Sequence, residues 1–287
     1  MSPDEYCQNK AVQSGSSFYY SFLFLAPETR KAITALYAFC REVDDVVDEC
    51  SDPSVARAKL DWWSKQINAL FTGRADHPVM QALMPHLKSS RITAERLQSV
   101  VRGMQMDLDQ SRYADWPSLR QYCWHAAGVV GVLSAGVFGY TEPSTLKYAE
   151  NLGIAFQLTN IIRDIGDDAR RGRIYLPADE LERFHVTEAE ILGSEHSDRF
   201  VNLMNFQADR ARQCYREAMQ ALPEIDRRAQ RSGLAMAAIY HTLLDEMARD
   251  GWQVLDRRTS LTPIRKFWLA WKTWVSGGRS VIRQLGK

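Results

Sequence analysis

The chain has 287 residues, 45% of them apolar, with 36 Lys and Arg against 35 Asp and Glu for a formal net charge of +1. That is enough apolar material for a sizeable core, and the near-neutral balance excludes the electrostatic footprint of a nucleic-acid-binding protein. Five cysteines, an odd number with no CxxC pair, exclude a disulfide framework and a zinc site and predict a reduced, cytoplasmic setting.

The first fifteen residues, MSPDEYCQNKAVQSG, carry two acids and no long apolar core, which excludes an ordinary signal peptide. From there apolar residues recur at three and four spacing, without the Val/Ile/Thr alternation of strands, so the fold is predicted to be all-α. In chain order the pattern predicts helices at residues 2–14, 27–49, 53–72, 77–87, 93–111, 116–138, 143–170, 177–184, 187–192, 197–222 and 229–249, with a last one after 261. Pro27, Pro53, Pro117 and Pro143 fall where first-turn prolines belong. The longest nearly apolar stretch, residues 126–140, is too short and too glycine-rich to span a bilayer core of about 30 Å. No linker long enough to separate domains occurs, so residues 1–287 are predicted to form one domain whose helices surround a central cavity.

Two acidic clusters stand out. In the first, Tyr37, Arg41, Asp44 and Asp48 follow one another at four, three and four residues, so one helical face carries an aromatic, a cation and two carboxylates. A solvated surface face is the ordinary alternative. Against it stand the apolar ITALYAFC before the cluster and Val43, Val46 and Val47 within it, which predict a largely buried helix. The second cluster is more specific: Gln157, Asn160, Asp164 and Asp168 share a face, and Arg163, Arg170, Arg171 and Arg173 surround them. Stacked like charges cost an isolated helix a few tenths of a kcal/mol per pair, so a cation is expected to offset them. Oxygen-only donors suit Mg²⁺, which keeps waters and is completed by substrate phosphates, and the arginines suit phosphate oxygens. A structural salt-bridge network is the alternative.

The segments SGSSFYYSF (residues 14–22), LYAFCREVDDVVDE (36–49), YCWHAAGVVG (122–131), LGIAFQLTNIIRDIGDDARRGRIYLP (152–177) and IYHTLLDEM around Tyr240 together resemble the squalene and phytoene synthase family of head-to-head prenyltransferases over nearly the whole chain. Within it, the run most resembles bacterial presqualene diphosphate synthases of hopanoid biosynthesis. The resemblance implies a single-domain isoprenoid synthase fold. It assigns Asp44 and Asp48 to one metal-binding pair and Asn160, Asp164 and Asp168 to another, holding several Mg²⁺ ions. Ser14, Gly15, Ser16, Ser17, Tyr37, Arg41, Gln157, Arg163, Arg173, Tyr175, Tyr240 and Arg257 match positions that contact prenyl diphosphate, with Tyr37, Arg41 and Arg163 counted among the catalytic residues beside the four aspartates. Phe18 and Tyr122 would line the hydrocarbon cavity.

The expected reaction is Mg²⁺-dependent condensation of two farnesyl diphosphates to presqualene diphosphate and diphosphate, supplying downstream squalene-forming enzymes. Phytoene, dehydrosqualene or complete squalene synthesis is the alternative, with a terpene cyclase or a non-catalytic helical partner more distant. NADPH is not expected; Gly128, Gly131, Gly136 and Gly139 lie on a predicted helix, follow no strand and read as close helix packing. His125 and His241 read as structural. Near the C-terminus, a predicted amphipathic helix at 261–285 sets Phe267, Trp268, Trp271 and Trp274 among Arg265, Lys266, Lys272, Arg279 and Arg283. Peripheral contact with the inner face of the membrane and packing on the protein body are both consistent with that pattern.

Overall fold

Local sequence signals account for most helix ends. In the computed structural model, which describes residues 1–14, 17–50 and 52–286, α1 (Pro3–Gln13) starts at a capping box between Ser2 and Glu5. After α2 (Ser17–Phe22), helix α3 (Pro27–Glu49) begins on a first-turn proline. Next come α4 (Pro53–Phe71), capped by Asp52, α5 (Pro78–Leu83) and α6 (Ala94–Asp109), capped by Thr93. Helix α7 (Trp116–Cys123), with its Asp115 to Ser118 box, runs through a π-helical turn, Trp124–Gly128, into α8 (Val129–Phe138). The long α9 (Ser144–Arg170) follows, then the short α10 (Ala178–Arg183) and α11 (Glu188–Leu192), then α12 (Asp198–Ala221) and α13 (Arg231–Arg249). Helices α14 (Pro263–Ser276) and α15 (Arg279–Leu285) complete the described chain. Among the described residues there is no strand, only an isolated bridge between Arg112 and Ile174.

The all-α expectation therefore holds, with three local differences. The predicted helix at 116–138 is interrupted by the π turn. The single helix expected after 261 is two, because Gly277 and Gly278 adopt φ of +63° and +78°, the left-handed region that favours glycine. Helix α2 was not predicted; its six residues carry four aromatics and show no helical alternation of apolar and polar positions.

Two apolar cores lie side by side. One gathers buried faces of α1, α3, α4, α5 and α6 with part of α8; the other gathers α7, α9, α12 and α13 with the inner sides of α14 and α15. Phe18 and Ala126 pack against both, so the seam between the cores is where a cavity can remain. The close packing expected of the glycine run is seen at Gly131 and Gly136 but not at Gly139, which ends α8 at φ +85° with open space around it. A Cβ on Gly131 would lie 2.2 Å from the carbonyl oxygen of Ala149, and one on Gly153 of α9 2.4 Å from that of Ala127 in the π turn. Any side chain there would push α9 away from the seam. The start of α9 is held by Asp226, which is buried and accepts hydrogen bonds from the amides of Thr141 and Glu142 at 2.8 and 3.0 Å and from the Thr145 hydroxyl at 2.6 Å.

Candidate active site

A cavity of about 880 Å³ occupies the seam, toward the upper end of the roughly 300–1,000 Å³ common for small-molecule sites. Its walls change character along its length. One end carries carboxylates and guanidinium groups from α3, α9 and the segment after α9. Toward the N-terminal parts of α3 and α9 the lining is apolar, with residues such as Phe22, Leu36, Leu152 and Met236. Between them stand aromatic rings: Phe18 lies 5.7 Å from Tyr37, 6.5 Å from Phe156 and 6.3 Å from Tyr240, and the Phe156 and Tyr240 centroids are 4.8 Å apart.

The periodicity of α3 delivers Tyr37, Arg41, Asp44 and Asp48 to the cavity as one stripe. Tyr37 donates to Ser14 Oγ at 2.8 Å. Arg41 pairs with Asp44 at 2.8 Å and also with Asp45, which is held from the other side by Lys10. Asp44 keeps 41% of its side-chain surface open, but that surface faces the cavity. Desolvation therefore pushes its carboxyl up to about 7 against the pull of Arg41, with Asp48 and Asp107 adding to the rise.

Helix α9 presents Gln157, Asn160, Asp164 and Asp168 to the same space. Arg163 is paired to Asp164 through Nε at 2.7 Å, and Arg258 reaches the same carboxylate at 2.7 Å. These two guanidinium groups hold Asp164 below the usual carboxylate range although burial opposes them. Asp168 goes the other way, up to about 7, through desolvation and the neighbouring charge of Asp164. The two acidic segments meet through arginine: Arg171 and Arg173, just after α9, approach Asp48 of α3 at 3.1 and 3.9 Å. The salt-bridge network that was the alternative reading is thus present, and it lines the cavity rather than the outer surface.

One carboxylate of the polar end was not foreseen. Asp107, near the end of α6, lines the cavity and accepts hydrogen bonds from Tyr122 at 2.9 Å and Tyr175 at 2.8 Å. The two phenol rings stack with centroids 5.2 Å apart, and Gln157 donates to the Tyr122 hydroxyl at 3.4 Å. Desolvation raises the Asp107 carboxyl to about 6, although both tyrosines and Arg173 stabilise its charge. Tyr122, expected only to line the hydrocarbon space, thus turns its hydroxyl toward the polar end.

Of the other expected contacts, Ser14, Ser17, Phe18, Arg173, Tyr175 and Tyr240 line the cavity, while Gly15 and Ser16 lie outside the described residues. Arg257 does not line it: it turns to Asp250, and Arg258 faces the site instead. The physical reason is that residues 257–260 have no regular secondary structure, so the pattern of neighbours does not tell which of two adjacent arginines points inward. His125 is buried with Nδ1 2.7 Å from Ser99 Oγ, and His241 Nδ1 lies 3.1 Å from Asp245. Neither lines the cavity.

The donor set fits a hard divalent cation. Asn160 Oδ1 is buried with no hydrogen-bond partner, and it sits on the α9 stripe between Gln157 and Asp164. An unpaired buried carbonyl oxygen on the same stripe as Asp164 and Asp168 is an oxygen donor that such a cation would satisfy. Among the described residues no three His, Cys, Asp or Glu side chains converge as a ready-made metal cluster. Asp44 is instead engaged by Arg41, Asp48 by Arg171, and Asp164 by Arg163 and Arg258.

The squalene/phytoene synthase family model matches residues 11–265. Among curated proteins, the phytoene synthase of Arthrospira platensis is 34% identical over 91% of this chain and 89% of that protein. The 15-cis-phytoene synthase of Synechocystis sp. is 32% identical over 93% of this chain and 84% of that protein. Among solved structures, a dehydrosqualene synthase in complex with ligand is similar with a TM-score of 0.86 at 25% identity, covering 96% of each chain. A squalene synthase from Alicyclobacillus acidocaldarius is similar with a TM-score of 0.75 at 27% identity, over 87% of this chain and 94% of that one. The chain therefore belongs to the squalene/phytoene synthase family, prenyltransferase-type enzymes of isoprenoid biosynthesis built on the isoprenoid synthase fold.

Proposed function

We propose that this protein condenses two prenyl diphosphates head to head, and that phytoene-type synthesis is the reading best supported. The observation that carries the general reaction is the polarity gradient of one cavity: paired acids and arginines at one end, aromatic rings in the middle, apolar side chains beyond. A diphosphate fits the first, an allylic cation the second and a hydrocarbon tail the third.

Each part has a physical task. Arg41, Arg163, Arg173 and Arg258 would bind diphosphate oxygens, and their charge stabilises the leaving group as its carbon–oxygen bond breaks. Asp44, Asp48, Asn160, Asp164 and Asp168 would hold Mg²⁺, which adds positive charge at the same leaving group. Phe18, Phe156 and Tyr240 keep water from the allylic carbon and offer aromatic faces worth about 0.5–2 kcal/mol to a cation. The double bond of the second prenyl chain attacks that carbon, and loss of a proton closes a cyclopropane. Tyr122, with its hydroxyl against Asp107, is a group to which such a proton can pass. Departure of the second diphosphate and loss of a proton then give a phytoene-type hydrocarbon, which requires no reductant, so NADPH is not called for.

Curated relatives that match over nine tenths of this chain include the phytoene synthases of Arthrospira platensis and Synechocystis sp., which favours that product over presqualene diphosphate from farnesyl diphosphate. The farnesyl reading stands second, supported by likeness to the dehydrosqualene and squalene synthases; hopanoid supply would follow only from it. Pure protein with Mg²⁺ and either geranylgeranyl or farnesyl diphosphate, each with and without NADPH, separates the two by product identification. Phytoene from the longer substrate is the expected result. Presqualene diphosphate or a squalene-type product from farnesyl diphosphate, with no turnover of the longer chain, would overturn it. Asp44→Ala and Asp164→Ala are expected to lower turnover to background with the helical circular dichroism signal unchanged, and full activity in either would refute the roles given to these acids.

A further inference from the structure

Helix α14 is apolar on two sides. Its inner side packs on the protein: Ala270 and Thr273 are buried, and Phe24 of the segment after α2 lies 5.9 Å from Phe267 and 5.7 Å from Trp274. Its outer side is not covered. Ile264 is 83% exposed, Trp268 49%, Trp271 47% and Val275 67%. These four are spaced at four, three and four residues, so they form a single stripe running the length of the helix. Packing on the body and an outward apolar face, alternatives from sequence, are both features of this one helix.

Charge identifies what the stripe would meet. Residues 257–287 contain eight Lys and Arg and no Asp or Glu, while the whole chain is only +1, so the rest of the protein is net acidic. Arg257, Arg258 and Arg265 are paired with carboxylates of the body. Lys272, Arg279 and Arg283 have no carboxylate partner among the described residues, and Lys272 Nζ lies 4.9 Å from the Trp268 ring centroid. A row of large apolar side chains with Lys272 against it, followed on α15 by the exposed Arg279 and Arg283, matches an anionic lipid surface, with indoles at the headgroup level. No helix among the described residues is long and apolar enough to cross a membrane, so the geometry is that of a helix lying in the interface. Location agrees, since Lys266 of α14 and the preceding residues 258–261 line the cavity.

We propose that α14 docks this protein on an anionic bilayer through Ile264, Trp268, Trp271 and Val275, with Lys272, Arg279 and Arg283 at the lipid phosphates, setting the cavity beside the membrane surface. The docking rests on this surface alone and does not depend on which prenyl product is made. The test is co-sedimentation of the full chain with vesicles of phosphatidylcholine mixed with phosphatidylglycerol, and with phosphatidylcholine alone. Wild type is expected in the anionic vesicle pellet at low salt and largely in the supernatant at high salt or with neutral vesicles. Lys272→Glu with Arg283→Glu is expected to lower anionic partitioning by at least about fivefold per charge. Trp268→Gln with Trp271→Gln is expected to abolish it, with unchanged circular dichroism and undiminished turnover of substrate presented in detergent. Wild type remaining in solution with anionic vesicles, or binding that the tryptophan pair does not affect, would overturn the proposal. So would a concentration-dependent dimer that the tryptophan changes dissociate, since the stripe would then be a contact between two copies.

Discussion

Replacing Asp107 by Asn separates a functional carboxylate from a structural one. A buried carboxylate placed for chemistry burdens the fold, whereas one placed for architecture supports it. The folded-state value of about 6 lies above the ordinary 3.8, so the native state holds the proton more tightly than the unfolded chain. That advantage is fully present below pH 3.8 and is lost as pH rises through 6, leaving an ionised group that costs up to about 3 kcal/mol. Asp107 is only half-buried, and solvent reaching it reduces the figure to about 1–2 kcal/mol. Asn keeps the shape and does not titrate. In thermal melts without added metal, Asp107→Asn is therefore expected to match wild type near pH 4 and to exceed it at pH 8 by about 2–8 °C. Turnover of prenyl diphosphate at pH 8 is expected to fall by at least about 100-fold if the carboxylate assists the Tyr122 hydroxyl. A variant less stable than wild type at pH 8 and still fully active would refute the reasoning, because Asp107 would then serve only to anchor Tyr122 and Tyr175.

The two neighbouring arginines give a paired test. Arg258→Ala removes a guanidinium that lines the cavity and is expected to raise KM for the prenyl diphosphate about tenfold, while Arg257→Ala, which loses only its partner Asp250, changes it less than about twofold; equal effects would refute the inward orientation of Arg258. Gly131→Ala puts a methyl group where the Ala149 carbonyl oxygen would be 2.2 Å away, so α8 and α9 must separate at a cost of about 1–3 kcal/mol, read as a lower melting temperature. An unchanged melt would show that the contact yields freely.

Helix α3 illustrates how far local signals reach. Its observed ends, Pro27 and Glu49, coincide with the predicted ones, because a first-turn proline opens it and Pro53 follows shortly after it. The same regularity makes its functional face legible: four residues at four, three and four spacing must share a side of any helix, whatever surrounds it. The α9 stripe from Gln157 to Asp168 was readable for the same reason. Where the backbone is not periodic the argument ends. Arg257 and Arg258 could not be told apart, α2 had no pattern to betray it, and the π turn at Trp124–Gly128 left no signature in an otherwise continuous apolar run.

The sequence by itself determined which side chains travel together on α3 and on α9, since residues within a few turns of each other are ordered by helix geometry alone. Tertiary structure decided what those two stripes face. Asp107 belongs to the site only because Tyr122 and Tyr175, 15 and 68 residues further on, bring their hydroxyls to it. Arg171 and Arg173 bridge to Asp48 only because two separately built cores meet at a seam. The outer stripe of α14 likewise became visible once Phe24 had claimed the inner one. Such contacts join elements that no local periodicity relates, and packing of the whole chain is what selects them.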